Sequence, residues 1–193
     1  EEARAIKDMG FVATKMKVGL GPRADIKLAE AVRRGIGDDF RFMVDANHCY
    51  TTSDAFEVGR ALEDLDAYWF EEPIAPEDLQ GYRELRAGLN VNISGGEAEF
   101  NRWGWRSLLE SRGLDIAQPE VCALGGISEY LRVLALCHAH FTPVVNHVWG
   151  SAVAVATNMH LLASMPDLPG GMNPWEPMLE FDTTEKNIFI TDL

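Results

Sequence analysis

Cysteine is scarce in this chain: Cys49, Cys122 and Cys137 are the three present, and no two form a C-x-x-C pair. So small a set supplies neither a disulfide framework nor a zinc ribbon, and it fits a reducing cytoplasm. Positive charge is scarce too. Seventeen Lys plus Arg face thirty Asp plus Glu, a formal net charge of −13, which argues against phosphate-backbone binding because that needs clustered cations. No apolar run approaches the roughly 18 residues of a membrane span. The N-terminus lacks the basic start and apolar centre of a signal peptide. Nucleic acid and membrane are thereby set aside, and a small molecule is the expected partner. If that molecule is an anion, local cations or a metal must offset the chain's overall field.

What the chain does have is an ordinary globular composition, 47% hydrophobic and 24% charged over 193 residues. The length suffices for a sizeable core, yet falls short of the about 250 residues of a complete (β/α)8 barrel. One domain, or most of one, is expected over residues 1–193. The opening Glu1-Glu2-Ala3-Arg4-Ala5-Ile6-Lys7 reads like the middle of a helix, and so like a piece cut from something longer.

Strand-like runs fall at residues 14–18, 42–45, 67–70, 91–94, 114–117, 143–146 and, weakly, 178–181. Helical patterns occupy residues 23–35, 51–65, 76–86, 100–111, 128–138 and 151–165. Such alternation is the signature of repeated βαβ units on a parallel sheet. Thr51 to Asp54 supply N-cap candidates, and Pro76-Glu77-Asp78 sets proline and acids in a first turn.

Polar residues decide between barrel and open sheet. Asp45, Glu71, Glu97, Glu120 and His147 each follow a strand-like run, at separations of 26, 26, 23 and 27 residues. Each separation is about the length of one βα unit. Groups at the C-terminal ends of consecutive strands converge on one point only if the strands close into a ring. A (β/α)8 barrel of TIM type is therefore expected, incomplete, with strands two to eight present and strand one upstream.

Three acids brought together raise one another's pKa unless a cation sits among them, and an all-oxygen set suits Mg²⁺, or Mn²⁺, rather than zinc. Asp45, Glu71 and Glu97 are the candidate ligands, with Glu72 the bystander beside Glu71. Lys15 and Lys17, two apart on a strand, point to the same side. One can stabilise a substrate carboxylate or enolate, and the other can act as a base. His147 is a candidate proton carrier on the opposite face, its other ring nitrogen held by Glu120. Gly125-Gly126 offers amides to an anion, Trp149 is placed to wall a pocket, and Met9, Met16, Met159 and Met165 read as core filler. His48, His138, His140 and His160 read as structural or surface residues, and Glu180 as an acid near the substrate, with Glu176 its rival.

In order along the chain, Lys-x-Lys at 15–17, Val-Asp-Ala-Asn at 44–47, Phe-Glu-Glu-Pro at 70–73, Gly-Gly-Glu at 95–97, Gln-Pro-Glu at 118–120 followed by Gly-Gly-Ile, and His-Val-Trp-Gly at 147–150 resemble the mandelate racemase subgroup of the enolase superfamily. Within it, the segments around Asp45, Glu71, His147 and Glu180 look most like galactarate or glucarate cycloisomerases and sugar-acid dehydratases. The resemblance implies magnesium on Asp45, Glu71 and Glu97, a strand-two lysine pair at Lys15 and Lys17, and a histidine–acid dyad at His147 and Glu120. It also implies substrate contacts at Asn47 and Glu180. The implied reaction is removal of the proton alpha to a sugar-acid carboxylate through an enediolate, leading to cycloisomerisation or dehydration. Racemisation or epimerisation stays open, as does a non-catalytic metal-binding barrel fragment. The dyad acid of the subgroup is usually aspartate, and here Glu120 is a methylene longer. The subgroup's N-terminal capping domain is missing, so the fragment alone is expected to be inactive or unable to fold. The full-length protein is expected to be a cytoplasmic homo-oligomer.

Overall fold

The computed structural model describes residues 1–166 and 178–183. They pack as two compact units, Glu1–Ser94 with Ser111–Asp115, and Gly95–Glu110 with Ile116–Leu193.

In the first unit a short helix α1 (Glu2–Asp8) precedes β1 (Ala13–Lys17), α2 (Pro22–Ile36), β2 (Arg41–Asp45), α3 (Thr52–Asp64), β3 (Trp69–Glu71), α4 (Leu79–Gly88) and β4 (Asn92–Gly95). Strands β1 to β4 lie in that order, and the three ladders between them are parallel. Helix α3 buries Ala55, Val58, Gly59 and Leu62, the i, i+3, i+4, i+7 spacing of an apolar stripe. Phe42, Val44, Phe70, Ile93 and Leu85 have no exposed surface and form the core.

Helix starts follow the sequence signals, with one shift. Thr51 caps α3 by accepting from the Asp54 amide at 3.2 Å. The Pro76–Asp78 turn lies before α4 rather than inside it, because Asp78 is the cap and accepts from the Gly81 amide at 2.9 Å.

The second unit holds most of α5 (Arg102–Ser111), then β5 (Ile116–Ala117), α6 (Ile127–Ala139) and α7 (Ala152–Ala163). Its core includes Trp105, Tyr130, Val133 and Cys137, all fully buried. The Gln118 amide donates to the carbonyl of Gly95, the last residue of β4, at 2.8 Å. Residues 143–146, expected as a strand, make an isolated parallel bridge of Val144 to Ala117. Pro143 there has no N–H to extend a ladder, while Asn146 is drawn off to Tyr130 and, at 2.9 Å, to Asn158. Residues 178–181, the expected last strand, form no regular element. The architecture is thus a parallel α/β piece of the TIM-barrel kind whose sheet is not closed among the described residues. None of the helices described is long and apolar enough to cross a membrane.

Two features of the first unit place its polar residues. Register sets Lys17 opposite Asp45, Asp45 opposite Glu71 and Glu71 opposite Ser94, so one row of side chains closes the C-terminal ends of four strands. Arg33, 7% exposed, ties the helix layer together. Its guanidinium donates to the carbonyls of Gly37, Phe40, Leu65 and Asp66 at 2.7 to 2.9 Å and lies over the Phe42 ring.

Replacing Arg33 by Met keeps the apolar stem and strands four carbonyls, so Arg33→Met is expected to lower stability by about 3 kcal/mol. Urea unfolding of the chain checks this, with the midpoint falling and the slope unchanged.

Candidate functional site

The first unit brings Lys15, Lys17, Asp45, Asn47 and Glu71 together. Asp45 and Glu71 have no exposed surface, a placement that strongly disfavours carboxylates unless cations compensate. The Lys15 ammonium does so for both, 2.7 Å from Glu71 Oε1 and 3.3 Å from Asp45 Oδ2. Lys17 pairs with Asp45 and donates to Asn47 Oδ1 at 2.7 Å. The other Asp45 oxygen accepts from the Asn47 amide at 3.0 Å. Burial pushes the Asp45 carboxyl up, but Lys15 and Lys17 together with these hydrogen bonds bring it below its ordinary value.

Equal orientation of the two lysines, read from their spacing, does not give equal environments. The Lys15 side chain is 12% exposed and that of Lys17 is 58% exposed, because Lys17 ends its strand. Sequence reasoning also missed two partners. Trp69 Nε1, two residues before Glu71 on the same strand face, donates to Glu71 Oε2 at 2.9 Å. Asp25, in the first turn of α2, is 1% exposed and accepts from the amides of Gly19, Leu20 and Gly21 and from the Tyr50 hydroxyl at 2.7 to 3.2 Å. Its place as an acid in the first turn of an amphipathic run was the available signal.

The second unit brings Glu97, Glu120, His147 and Glu180 together. His147 Nδ1 is 2.9 Å from Glu120 Oε2, and His147 Nε2 is 2.9 Å from Glu97 Oε2. Burial works against charge on this imidazole, yet the hydrogen bonds to Glu120 and Glu97 and the charges of Glu180 and Glu97 push its pKa up to about 10. Glu180 Oε2 accepts the Val148 amide at 3.0 Å. The segment carrying His147 is held by Asn146, which contacts Tyr130 and Asn158. Gly96 sits at φ 120, and a Cβ there would lie 2.3 Å from Trp105. The glycine before Glu97 is thus required by the backbone's close approach to an indole.

Other expectations need correction. The Gly125 and Gly126 amides donate to the carbonyls of Cys122 and Val121 at 3.2 and 2.9 Å, which closes a turn instead of presenting them to an anion. Trp149 is 62% exposed and Met9 and Met159 are more than half exposed, so they neither wall a pocket nor fill a core. Glu72, set aside as a ligand, is almost fully buried and meets His48 at 3.1 Å. Glu176 lies outside the described residues.

The donor set fits a hard divalent cation. Asp45 and Glu71 offer carboxylate oxygens alone, buried beside each other on adjacent strands, and the ammonium shared between them shows that the place demands positive charge.

Comparison with known proteins shows the family. The enolase C-terminal domain-like family model matches residues 1–191. A D-galactarolactone cycloisomerase of Agrobacterium fabrum is 41% identical over 175 residues, covering 91% of this chain and 46% of that protein. An arabinonate dehydratase of Saccharolobus solfataricus is 34% identical over 179 residues, covering 92% and 46%. Among solved structures, a 3,6-anhydro-D-galactonate cycloisomerase from Zobellia galactanivorans superposes with a TM-score of 0.90 at 41% identity, covering 97% of this chain and 51% of that one. A racemase from Streptomyces coelicolor with bound magnesium gives a TM-score of 0.78 at 31% identity, covering 86% and 48%. The chain therefore spans about half the length of the relatives it matches.

Two outcomes follow from the charges. Lys15→Met removes the ammonium shared by two buried carboxylates, and stability at neutral pH without divalent ions should drop by about 3 kcal/mol, measured by thermal and urea unfolding. His147 has its folded pKa raised, so its contribution is full below the unfolded value of about 6.5 and is lost as pH rises through about 10. In metal-free protein, ¹⁵N NMR should show it as imidazolium at pH 8. The matching fall in stability between these two pH values should vanish in His147→Asn.

Proposed function

Because the chain belongs to the enolase C-terminal domain-like family, in the mandelate racemase subgroup of the enolase superfamily, we propose that the whole protein removes the proton alpha to the carboxylate of a sugar acid with the aid of Mg²⁺. The observation that carries this reading is the pair Asp45 and Glu71. They are fully buried, in register at the ends of adjacent strands, and share one ammonium group.

Asp45, Glu71 and Glu97 are the residues we assign to the cation, on their spacing and on the family; Mn²⁺ fits the same oxygens. When bound, the cation takes up charge that develops on the substrate carboxylate as the carbon acid ionises. Lys17, exposed along its stem and held at its tip by Asp45 and Asn47, is assigned the base. Lys15 is assigned the fixed positive charge beside the carboxylate and the enediolate. His147, holding its proton between Glu97 and Glu120, is assigned the acid, with Glu120 fixing the ring. Asn47 and Glu180 are assigned to substrate hydroxyl or carboxylate groups. Proton delivery after ring opening or closure gives a cycloisomerase, while expulsion of a β-hydroxyl gives a dehydratase. Cycloisomerisation is placed first, since two of the relatives described above carry that name.

The test is isotope exchange. The full-length protein with Mg²⁺ and a panel of aldarates and their lactones in ²H₂O should show α-deuterium incorporation by NMR, at least 10³-fold slower in Lys17→Met. Absence of exchange with every member of the panel sinks the reading.

A further inference from the structure

We propose that His48 and Glu72 form a clasp that positions Lys17 through Asn47, an inference that rests on the proposed role of Lys17 as a proton carrier. Three residues without glycine's freedom occupy the left-handed region here: Asn47 at φ 40, His48 at φ 66 and Glu72 at φ 41. Each such residue is strained and persists only where its surroundings enforce it. Asn tolerates the region best, and Glu has no special tolerance for it.

The enforcing contacts join the loop after β2 to the loop after β3. The His48 amide donates to the Glu72 carbonyl at 2.8 Å, and the Tyr50 amide to that of Pro73 at 3.2 Å. Side chains repeat the link, with His48 Nε2 3.1 Å from Glu72 Oε2. The Glu72 amide in turn donates to the Ser94 carbonyl at 2.9 Å, extending the row to β4. Glu72 is 1% exposed. Its carboxylate is therefore kept from water, and it meets the His48 ring there.

The reversed backbone at Asn47 and His48 determines where Asn47 points. It turns the Asn47 amide onto Asp45 Oδ1 at 3.0 Å and brings its side-chain oxygen to Lys17 Nζ at 2.7 Å. A lysine with a largely exposed stem gives up rotamer freedom when its tip is fixed. Asn47 and Asp45 together hold that tip, and the clasp holds Asn47. His48 and Glu72 are therefore positioning residues, remote from proton transfer themselves.

Three variants of the protein separate positioning from folding. His48→Gly deletes the side-chain half of the clasp while glycine accepts φ 66 without strain. Because Glu72 loses the His48 side chain, the variant's melting temperature should fall by several degrees, and at temperatures where it is still fully folded kcat for α-proton exchange should be down about tenfold with KM within twofold. Glu72→Leu should show the same kcat loss. Glu72→Gln, which keeps an oxygen for His48, should retain at least half of parental kcat. Without substrate or metal, the Asn47 and His48 amides should exchange with solvent at least fivefold faster in His48→Gly and Glu72→Leu than in the parent. Parental kcat and parental amide protection in both variants would overturn the clasp, as would a kcat loss that only tracks lost stability. Equal losses in Glu72→Gln and Glu72→Leu would overturn it too. If the parent itself shows no exchange activity, the functional reading fails, and amide exchange still decides the clasp.

Discussion

Two carboxylates without exposed surface, sharing one ammonium group, are the constraint on which the first unit depends. Asp45 and Glu71 stand where water cannot solvate them, so their charge is tolerable only while Lys15 bridges them, with Lys17 adding a second contact to Asp45. That balance is set by register. A one-residue slip of β1 against β2 would turn Lys15 and Lys17 to the other face of the sheet and leave Asp45 uncompensated. The strands, their hydrophobic partners and the Arg33 clamp behind them therefore all hold one row of side chains level.

The second unit solves the same problem with opposite emphasis. There the group set among the acids is a part-buried imidazole, His147, with Glu97 and Glu120 at its two nitrogens. The hydrogen bond from Nδ1 to Glu120 orients the ring, and Nε2 lies 2.9 Å from Glu97. The longer Glu120 side chain in place of the usual aspartate still reaches Nδ1 at hydrogen-bond distance.

How much of this could be read from the chain depends on which physics the residue type reports. After Arg41, strand β2 is apolar up to a terminal acid, and β3 likewise, so their ends were legible to within a residue or two. Pro143 and its neighbours read as a strand because Val144 and Val145 favour one, but a missing N–H and the side-chain ties of Asn146 leave a single bridge. Acids at strand ends were legible through their spacing. The sign of φ at Asn47, His48 and Glu72 was not, since it is imposed by contacts between loops far apart in sequence. For the same reason His48 and Glu72 looked incidental. Trp69 was legible only in part: its burial follows from its type, its hydrogen bond to Glu71 only from the pleat.

Lys15 and Lys17 show how one motif divides into two roles. Both point to one face of β1, and the sequence treats them alike. Lys15 is covered and engaged by two buried acids, and withdrawing it would leave both under-compensated, so its charge is static. Lys17 keeps most of its side chain in water, and its tip rests on Asp45 and the amide oxygen of Asn47. Asp45 retains Lys15 when Lys17 moves away, and the cost of that motion is correspondingly small. A group that must take a proton and return it needs both properties: a defined resting place and a low cost of leaving it. On the proposed reading the Lys-x-Lys pair supplies the first through the strained Asn47 turn and the second through the redundancy that Lys15 provides.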